Sequence, residues 1–471
     1  MKLPRKGRAW GAFWHGARYL RAGASYLLPP RFRFGRYDEA MFRLLQESQW
    51  WPRERIEAYQ NEQLRRLIDH AYRNVPYYRR VFDERGLSPG QIQDASDLPK
   101  LPYLTKEILR DNLPDLTAQN WPAARRQYVT TGGSTGVPVG FYNDREQSSP
   151  LEDAHILSIW GRVGYHYGDG SIQLRGAVVD SAERGKPWLY LPRTRRLVLS
   201  SYHLTDEYMP SYVEKIRASG FRFIEAYPSA IAILARFMLE RKIEPIRSVE
   251  VVLCGSENLY AWQREAIEQA FRCRTFGFYG HSERAALSAE CERNADYHVV
   301  PEYGVTELIG EDGRSVSGDG QIAEVIATGF SNWVTPFIRY RTADRAVVRA
   351  GTCACGRQHQ LLAGIDGRLQ ELIVTGKGRL ISMTALNMHS DVFDEVAQFQ
   401  FFQDTPGLVV FNVVRKPSYT EESTARIRKA LLAKLGDDVE LRVESVPEIP
   451  RTVSGKQRFL IQKLPLKFGD A

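Results

Sequence analysis

The chain reads as an α/β protein: a large multi-layer N-terminal domain followed by a small α+β C-terminal domain. Three observations carry that reading. Across residues 37–365, short apolar runs alternate with helical stretches, which is the pattern of α/β layers. Residues 372–471 repeat none of it and follow their own order of strand, strand, charged helix and strand. At 471 residues the chain also exceeds one ordinary compact core, which leaves two or three domains.

The elements follow in order. Residues 1–36 hold nine Lys and Arg and no acidic residue, so the rest of the chain carries a net −1 (the whole-chain +8 less nine). Trp10, Phe13, Trp14, Ala17, Leu20 and Ala24 recur there at helical spacing, and Pro29-Pro30 ends any helix. Two readings of this segment stay open. It is a basic amphipathic helix touching an anionic membrane surface through residues 1–30, or a helix packed on its own protein. A signal peptide does not fit, because aromatics, His15 and two arginines interrupt the apolar stretch. No apolar run reaches 18 residues, so no transmembrane helix is expected. The near-neutral body lacks the basic bias of a nucleic-acid binder. Five cysteines, an odd number, make no secreted disulfide framework and point to the cytoplasm, on the inner face of the membrane if the basic helix binds there.

Within residues 37–365, positions 39–85 carry helical signals, with Glu57, Gln60, Leu64, Leu67 and Ala71 at three- and four-residue steps. Residues 170–179, 221–239, 249–257 and 276–283 read as strand-then-helix units, and 320–349 as antiparallel strands. The turn-rich AGIDGRLQ at 364–371 places a hinge at 366–371. Beyond it, FQFFQ, LVVFNVV, TEESTARIRKALLAKL and VELRVESV supply the small domain, residues 372–471.

The chemistry begins with Thr130-Thr131-Gly132-Gly133-Ser134-Thr135-Gly136, followed by Val137-Pro138. Its glycines let a backbone approach an anion closely, and its hydroxyls can donate to phosphate oxygens. It lacks the Gly-Lys-Ser/Thr ending of a Walker loop, and alone it is equally a plain turn. Further segments follow: Tyr279-Gly280-His281-Ser282-Glu283, Arg339-Tyr340-Arg341-Thr342-Ala343-Asp344, Asp366-Gly367-Arg368 and Pro450-Arg451-Thr452-Val453-Ser454-Gly455-Lys456.

In order and spacing, these five segments resemble the core motifs of the adenylate-forming acyl ligases, over about residues 40 to 460. LRRLIDHAYRNVPYYR at 64–79, Tyr227-Pro228-Ser229 and CACGR at 353–357 resemble the phenylacetate–CoA ligase and CapK-like branch. The resemblance makes residues 37–365 an adenylation domain and 372–471 its mobile partner. It implies that Thr130–Gly136 holds the β- and γ-phosphates of ATP, and that Gly255, Ser256 and Glu257 border the adenine. Tyr279 would stack on that base, beside Gly280 and Ser282. Glu283 would hold Mg²⁺, which takes oxygen ligands. Asp344 would bind the ribose and Arg368 would orient the nucleotide. Lys456 would bridge the carboxylate and the α-phosphate, where charge builds during attack. His203, Tyr227, Pro228, Ser229 and His281 would line the pocket for a small carboxylic acid.

The implied product is an acyl-AMP, handed to CoA or to an amine or hydroxyl acceptor such as a sugar of a surface polysaccharide. Two other readings stay open: adenylyl transfer to a hydroxyl of a small molecule, and a catalytically silent CapK-like binding protein. The chain departs from the family pattern in places. Its phosphate loop reads Gly-Gly-Ser-Thr-Gly where Ser-Gly-Thr-Thr-Gly or Ser-Gly-Ser-Thr-Gly is common. Thr-Ala-Asp replaces the usual Thr-Gly-Asp, a small change, and Gln370-Glu371 stands where the hinge aspartate is expected.

Cys291, His298, Cys353 and Cys355 form a further set. Three thiolates and an imidazole suit a closed tetrahedral Zn²⁺ site with a structural role. The alternative is a group of buried free thiols. CapK-like relatives carry a matching set, which favours the metal. Cys254 and Cys273 read as core residues, and His281 and His359 are competing ligands.

Overall fold

The computed structural model describes residues 37–130, 139–176, 179, 186–310, 312–365, 372–382, 386, 391–393, 395–450 and 460–464. The basic segment 1–36, the hinge 366–371, and the predicted site residues Thr131–Gly136, Arg368 and Lys456 lie outside them.

The chain enters through α1 (Glu39–Ser48), α2 (Arg53–Asn74) and α3 (Pro76–Glu84). Leu64, Leu67, Ile68 and Ala71 give α2 one buried face. Pro76, at the first position of α3, ends α2 and starts α3 without losing a hydrogen bond. The short helices α4 (Lys106–Asp111) and α5 (Leu113–Leu116) then lead to the hairpin β1 (Arg126–Thr130) and β2 (Gly140–Asp144) and to α6 (Ser148–Gly161).

The next strands are β3 (Ser171–Leu174), β4 (Trp188–Leu191) and β5 (Arg196–Leu199), then α7 (Met209–Ser219), β6 (Phe223–Ala226) and α8 (Pro228–Glu240). They are followed by β7 (Val251–Cys254), α9 (Ala261–Phe271), β8 (Arg274–Gly280), β9 (Leu287–Glu290) and β10 (Tyr297–Val299). The large domain closes with β11 (Gly304–Ile309), β12 (Ile322–Gly329), β13 (Tyr340–Arg349) and β14 (Leu361–Ile365). Ten of these strands join β3 and β4 in one twelve-stranded sheet, ordered β11-β12-β13-β14-β10-β9-β8-β7-β6-β3-β5-β4.

This sheet has two halves. β5, β3, β6, β7 and β8 run parallel, and β6 and β7 are buried along their whole length, as strands covered on both faces must be. From β8 to β11 the neighbours are antiparallel. The change of sense falls inside β8: Arg274–Gly277 pair with β7, and Phe278–Gly280 pair with β9.

Two strand-then-helix expectations are corrected here. Residues 221–239 and 249–257 do lead into α8 and α9, but 276–283 turns back as a strand. Arg284, at φ +54°, and a bond from Arg284 N to His281 O of 3.0 Å reverse the chain into β9. After β3 the described chain continues into the β4–β5 hairpin, not into a helix.

The small domain holds β15 (Leu372–Val374), β16 (Leu380–Ser382), β17 (Val396–Thr405), β18 (Leu408–Arg415), α10 (Glu421–Leu435), β19 (Glu440–Ser445) and β20 (Leu460–Gln462). Four of these strands form a sheet ordered β19-β18-β17-β20. Thr420 caps α10 by accepting from Ser423 N, and Ile427, Leu431 and Leu435 put its apolar face on Phe399, Phe401 and Phe411. Among the described residues no helix is long and apolar enough to cross a membrane.

Candidate functional site

The motif residues meet where the parallel strands end and the antiparallel ones begin. In open α/β sheets ligands bind at the carboxyl ends of the strands, and three adjacent strands deliver predicted residues there. Tyr227-Pro228-Ser229 follows β6, Gly255-Ser256-Glu257 follows β7, and Tyr279-Gly280 closes β8.

Local sequence explains these placements. Pro228 starts α8 with its missing N–H at no cost. Glu257 Oε2 accepts from Ser229 N at 3.0 Å, a carboxylate on the positive end of a helix. That bond links the expected adenine border to the expected acid pocket. Gly255 is required, because a Cβ there would lie 2.4 Å from the Phe278 ring. Ser256, at φ +68°, accepts from Arg175 Nη2 at 3.1 Å. Arg175 also pairs with Glu225 and lies 5.6 Å from the Tyr227 ring.

Glu283 is the electrostatic centre. It is buried, at 5% exposure. Tyr340 donates its hydroxyl to Oε1 at 2.5 Å, and His281 Nδ1 lies 3.3 Å from Oε2. The His281 contact is at ion-pair distance without an aligned hydrogen bond, and among the described residues neither ring nitrogen has an aligned partner. Burial pushes the Glu283 pKa up, but His281, the charge of Lys106 and the Tyr340 hydroxyl outweigh it and bring it to about 2. The result is a buried anion.

β13 supplies the opposite wall. Thr342 Oγ1 donates to Val325 O at 2.8 Å and accepts from Asp344 N at 3.1 Å. Tyr279 donates its hydroxyl to Asp344 Oδ2 at 3.0 Å, so the residues expected to meet adenine and ribose are bonded to each other. Between Arg341 and Arg345 the β12–β13 register shifts, with Ile326 opposite Arg341 and Glu324 opposite Arg345. Ala343 sits in that bulge at φ +62°, a left-handed conformation that glycine adopts freely and alanine does not. The Thr-Ala-Asp departure is therefore more than a small change. Ala343→Gly is expected to stabilise the protein by about 1 kcal/mol, read as an increased denaturant midpoint. A lowered midpoint would refute the strain.

Thr130 ends β1 buried, its Oγ1 without a hydrogen-bond partner among the described residues. Ser282 lies in the turn before Glu283, half-buried. His203 has Nδ1 2.8 Å from Ser200 Oγ and its ring 5.8 Å from that of Tyr208. Burial and the charge of Arg379 lower its pKa. Sequence reasoning missed Lys106, Tyr340 and Arg175. Tyr340 lay inside a motif already singled out. Lys106 had no sequence signal: its charge acts on Glu283, and its segment is set against β13 by bonds from Leu104 N to Arg339 O (3.0 Å) and from Arg341 N to Leu104 O (2.9 Å).

The thiol set forms a second centre. One ligand atom from each of Cys291, His298, Cys353 and Cys355 lies within 4.8 Å of all the others, and all four residues are buried. Cys353 Sγ is 3.6 Å from Cys291 Sγ, and Cys355 Sγ is 3.6 Å from His298 Nε2. A tetrahedron with Zn–S near 2.3 Å and Zn–N near 2.0 Å has edges of about 3.5–3.8 Å. The donors fit. Amides of Arg293 and Arg357 point at Cys291 Sγ (3.3 Å) and Cys355 Sγ (3.5 Å), as around thiolates. Cys254 and Cys273 lie in or against another apolar core. His359 stands 5.5 Å from His298, ring to ring, outside the four.

Residues 373–463 match the CapK C-terminal domain. Protein CapK of Staphylococcus aureus is 24% identical over 86% of this chain and 89% of its own length. A phenylacetate–coenzyme A ligase of Thermus thermophilus is 26% identical over 70% of this chain and 74% of its own. The fold matches a 2-hydroxyisobutyryl-CoA ligase holding its acyl-AMP, at TM-score 0.56 and 18% identity, over 88% of this chain and 93% of that one. Along most of its length the chain is similar to the adenylate-forming ligases of the CapK and phenylacetate–CoA ligase branch. Its two-domain architecture is that of the ligase it matches in fold, and the predicted residues gather at the seam of the large sheet.

Proposed function

We propose that this protein activates a small carboxylic acid with ATP, forming an acyl-AMP and pyrophosphate, and passes the acyl group to an acceptor. The observation that carries the reading is the Glu283 anion, buried beside His281 under the charge of Lys106, together with the bonded Tyr279–Asp344 pair. A carboxylate oxygen of the acid attacks the α-phosphorus, the bond to the bridging oxygen breaks, and pyrophosphate leaves with that electron pair. Glu283 would hold Mg²⁺, which would supply positive charge to the phosphates when bound. Asp344 takes the ribose, Tyr279 the base, and Tyr227 to Ser229 with His203 and His281 the acid. Thr130–Gly136, Arg368 and Lys456 complete the set by family likeness, with Lys456 as the catalytic cation.

CoA is the default acceptor, supported by a solved neighbour of the same fold that holds both acyl-AMP and CoA. An amine or hydroxyl acceptor, such as a sugar of a surface polysaccharide, is the alternative that the CapK-like sequence resemblance implies. The Cys291, His298, Cys353 and Cys355 set would hold Zn²⁺ as a structural clip, since four protein ligands leave no position open for chemistry.

The test is ATP–pyrophosphate exchange across a panel of acids including phenylacetate and 2-hydroxyisobutyrate. Exchange should appear with at least one acid and depend on it. Lys456→Ala should lower that exchange about 10²-fold. An unchanged rate in the variant would sink the mechanism.

A further inference from the structure

We infer that Arg379, a residue of the small domain, positions the wall of the acid pocket in the large one, so that acid recognition depends on where the small domain sits. This rests on the acid-activating reading above. Arg379 precedes β16 and is buried, at 6% exposure. Its Nη2 pairs with Asp438 and donates to Leu435 O at 2.7 Å, both within the small domain. Its Nη1 crosses the boundary and donates to Tyr202 O.

Tyr202 belongs to the large domain by sequence but to the small domain by packing. It sits in the apolar core formed by Ile373, Phe399, Phe401, Phe411 and Leu431. Its hydroxyl donates to Gly176 O at 3.2 Å, and Gly176 N donates to Ser201 Oγ at 2.9 Å. Gly176 follows β3 at φ +52°, and a Cβ there would lie 2.8 Å from the Tyr227 hydroxyl. Tyr227 in turn packs against both the large-domain and the small-domain cores. An unbroken line of contacts therefore runs Arg379, Tyr202, Gly176, Tyr227.

The guanidinium matters for its shape. One planar fork serves Tyr202 O, Leu435 O and the Asp438 carboxylate together, and the compact ammonium of lysine has no such fork. When the small domain rotates away, Tyr202 loses its core and its bond at once, and the Gly176 turn loses its anchor. The pocket wall then loosens at the stage when the acyl group must leave.

The test uses Arg379→Lys and Tyr202→Phe in the full chain. In Arg379→Lys, amide hydrogen exchange at 174–176, 200–203 and 227–229 should quicken about tenfold, with β17 and β18 unchanged as the sign that the small domain is folded. Tyr202→Phe keeps the backbone carbonyl and should quicken 174–176 alone. With phenylacetate and 2-hydroxyisobutyrate as probes in pyrophosphate exchange, Arg379→Lys should raise the KM for acid about tenfold. Its kcat and its KM for ATP should hold within about twofold. Unchanged amide exchange at those segments in both variants overturns the proposal, as does a fall in kcat with the KM for acid unmoved. If Arg379→Lys unfolds the small domain, Tyr202→Phe decides by the same readouts. A wild type without exchange for any acid sinks the acid-activating reading alone, and the amide data still decide the coupling.

Discussion

Glu283→Gln is expected to lower acid-dependent pyrophosphate exchange about 10³-fold while moving the melting temperature by no more than about 3 °C. The substitution keeps the side-chain volume and a carbonyl oxygen that can still accept from the Tyr340 hydroxyl. What goes is the charge, held as an anion down to about pH 2 by His281, Lys106 and Tyr340 against its own burial. A neutral amide still satisfies Tyr340, and the lost attraction to His281 and Lys106 accounts for the small fall in melting temperature. Stopped exchange with an intact melt would mark Glu283 as the ligand of the phosphate-bound metal. A variant that keeps more than about one tenth of the wild-type rate would remove that role, since a lost electrostatic contact of this kind costs more.

The second large effect concerns the thiol set. Protein purified without chelator should carry about one zinc per chain, and Cys355→Ser should lose it and melt about 10 °C lower. The metal would bring together the end of β9 and the start of β10, through Cys291 and His298, and the loop between β13 and β14, through Cys353 and Cys355. From there Arg357 reaches outward. It pairs with Glu292 at 2.7 Å, donates to Gln49 Oε1 at 2.8 Å and covers the Trp50 ring at 4.4 Å. Loss of the clip should therefore loosen the link between α1 and α2 as well as the sheet. Metal analysis and a thermal scan of both proteins check this. Metal-free wild-type protein with the melting temperature of the variant's parent would refute the site. Exchange activity should fall only in step with unfolding, because a closed site takes no part in the reaction.

Much of this architecture is legible in the residues. FRFIEAYPSAIAILARFML announces β6 and α8, since an apolar run too short for a helix is followed by a proline at the one helical position that tolerates it. The small domain is equally plain, because its helix shows a three- and four-residue period between two strands of alternating period. The thiol set is visible from residue type alone, although nothing in the spacing between 298 and 353 says that the chain returns to the same place. What escaped depends on backbone geometry or long-range packing. The Ala343 bulge needs a φ value, and no side-chain pattern reports one. Lys106 brings its charge to bear on Glu283 from a segment that Leu104 sets against the start of β13. Tyr202 looks like an ordinary large-domain residue until the small domain is set against it.

The switch of pairing sense inside β8 bears on which length changes the gene can accept. A strand slipped by one residue turns every side chain to the opposite face. In β8 that slip would put Phe278 where Tyr279 now meets Asp344, and would bring a side chain to the Gly277 position, where a Cβ would lie 2.5 Å from the Tyr297 hydroxyl. A slip that one neighbour might accommodate is also opposed by the other, since β7 and β9 bind different stretches of the strand in opposite directions. Insertions and deletions should therefore collect in turns such as 312–320, which join antiparallel strands at the sheet's far edge, and be absent between 274 and 290. Across relatives this segment should keep its length even where its residues change, and that constancy would mark the site more reliably than any single side chain in it.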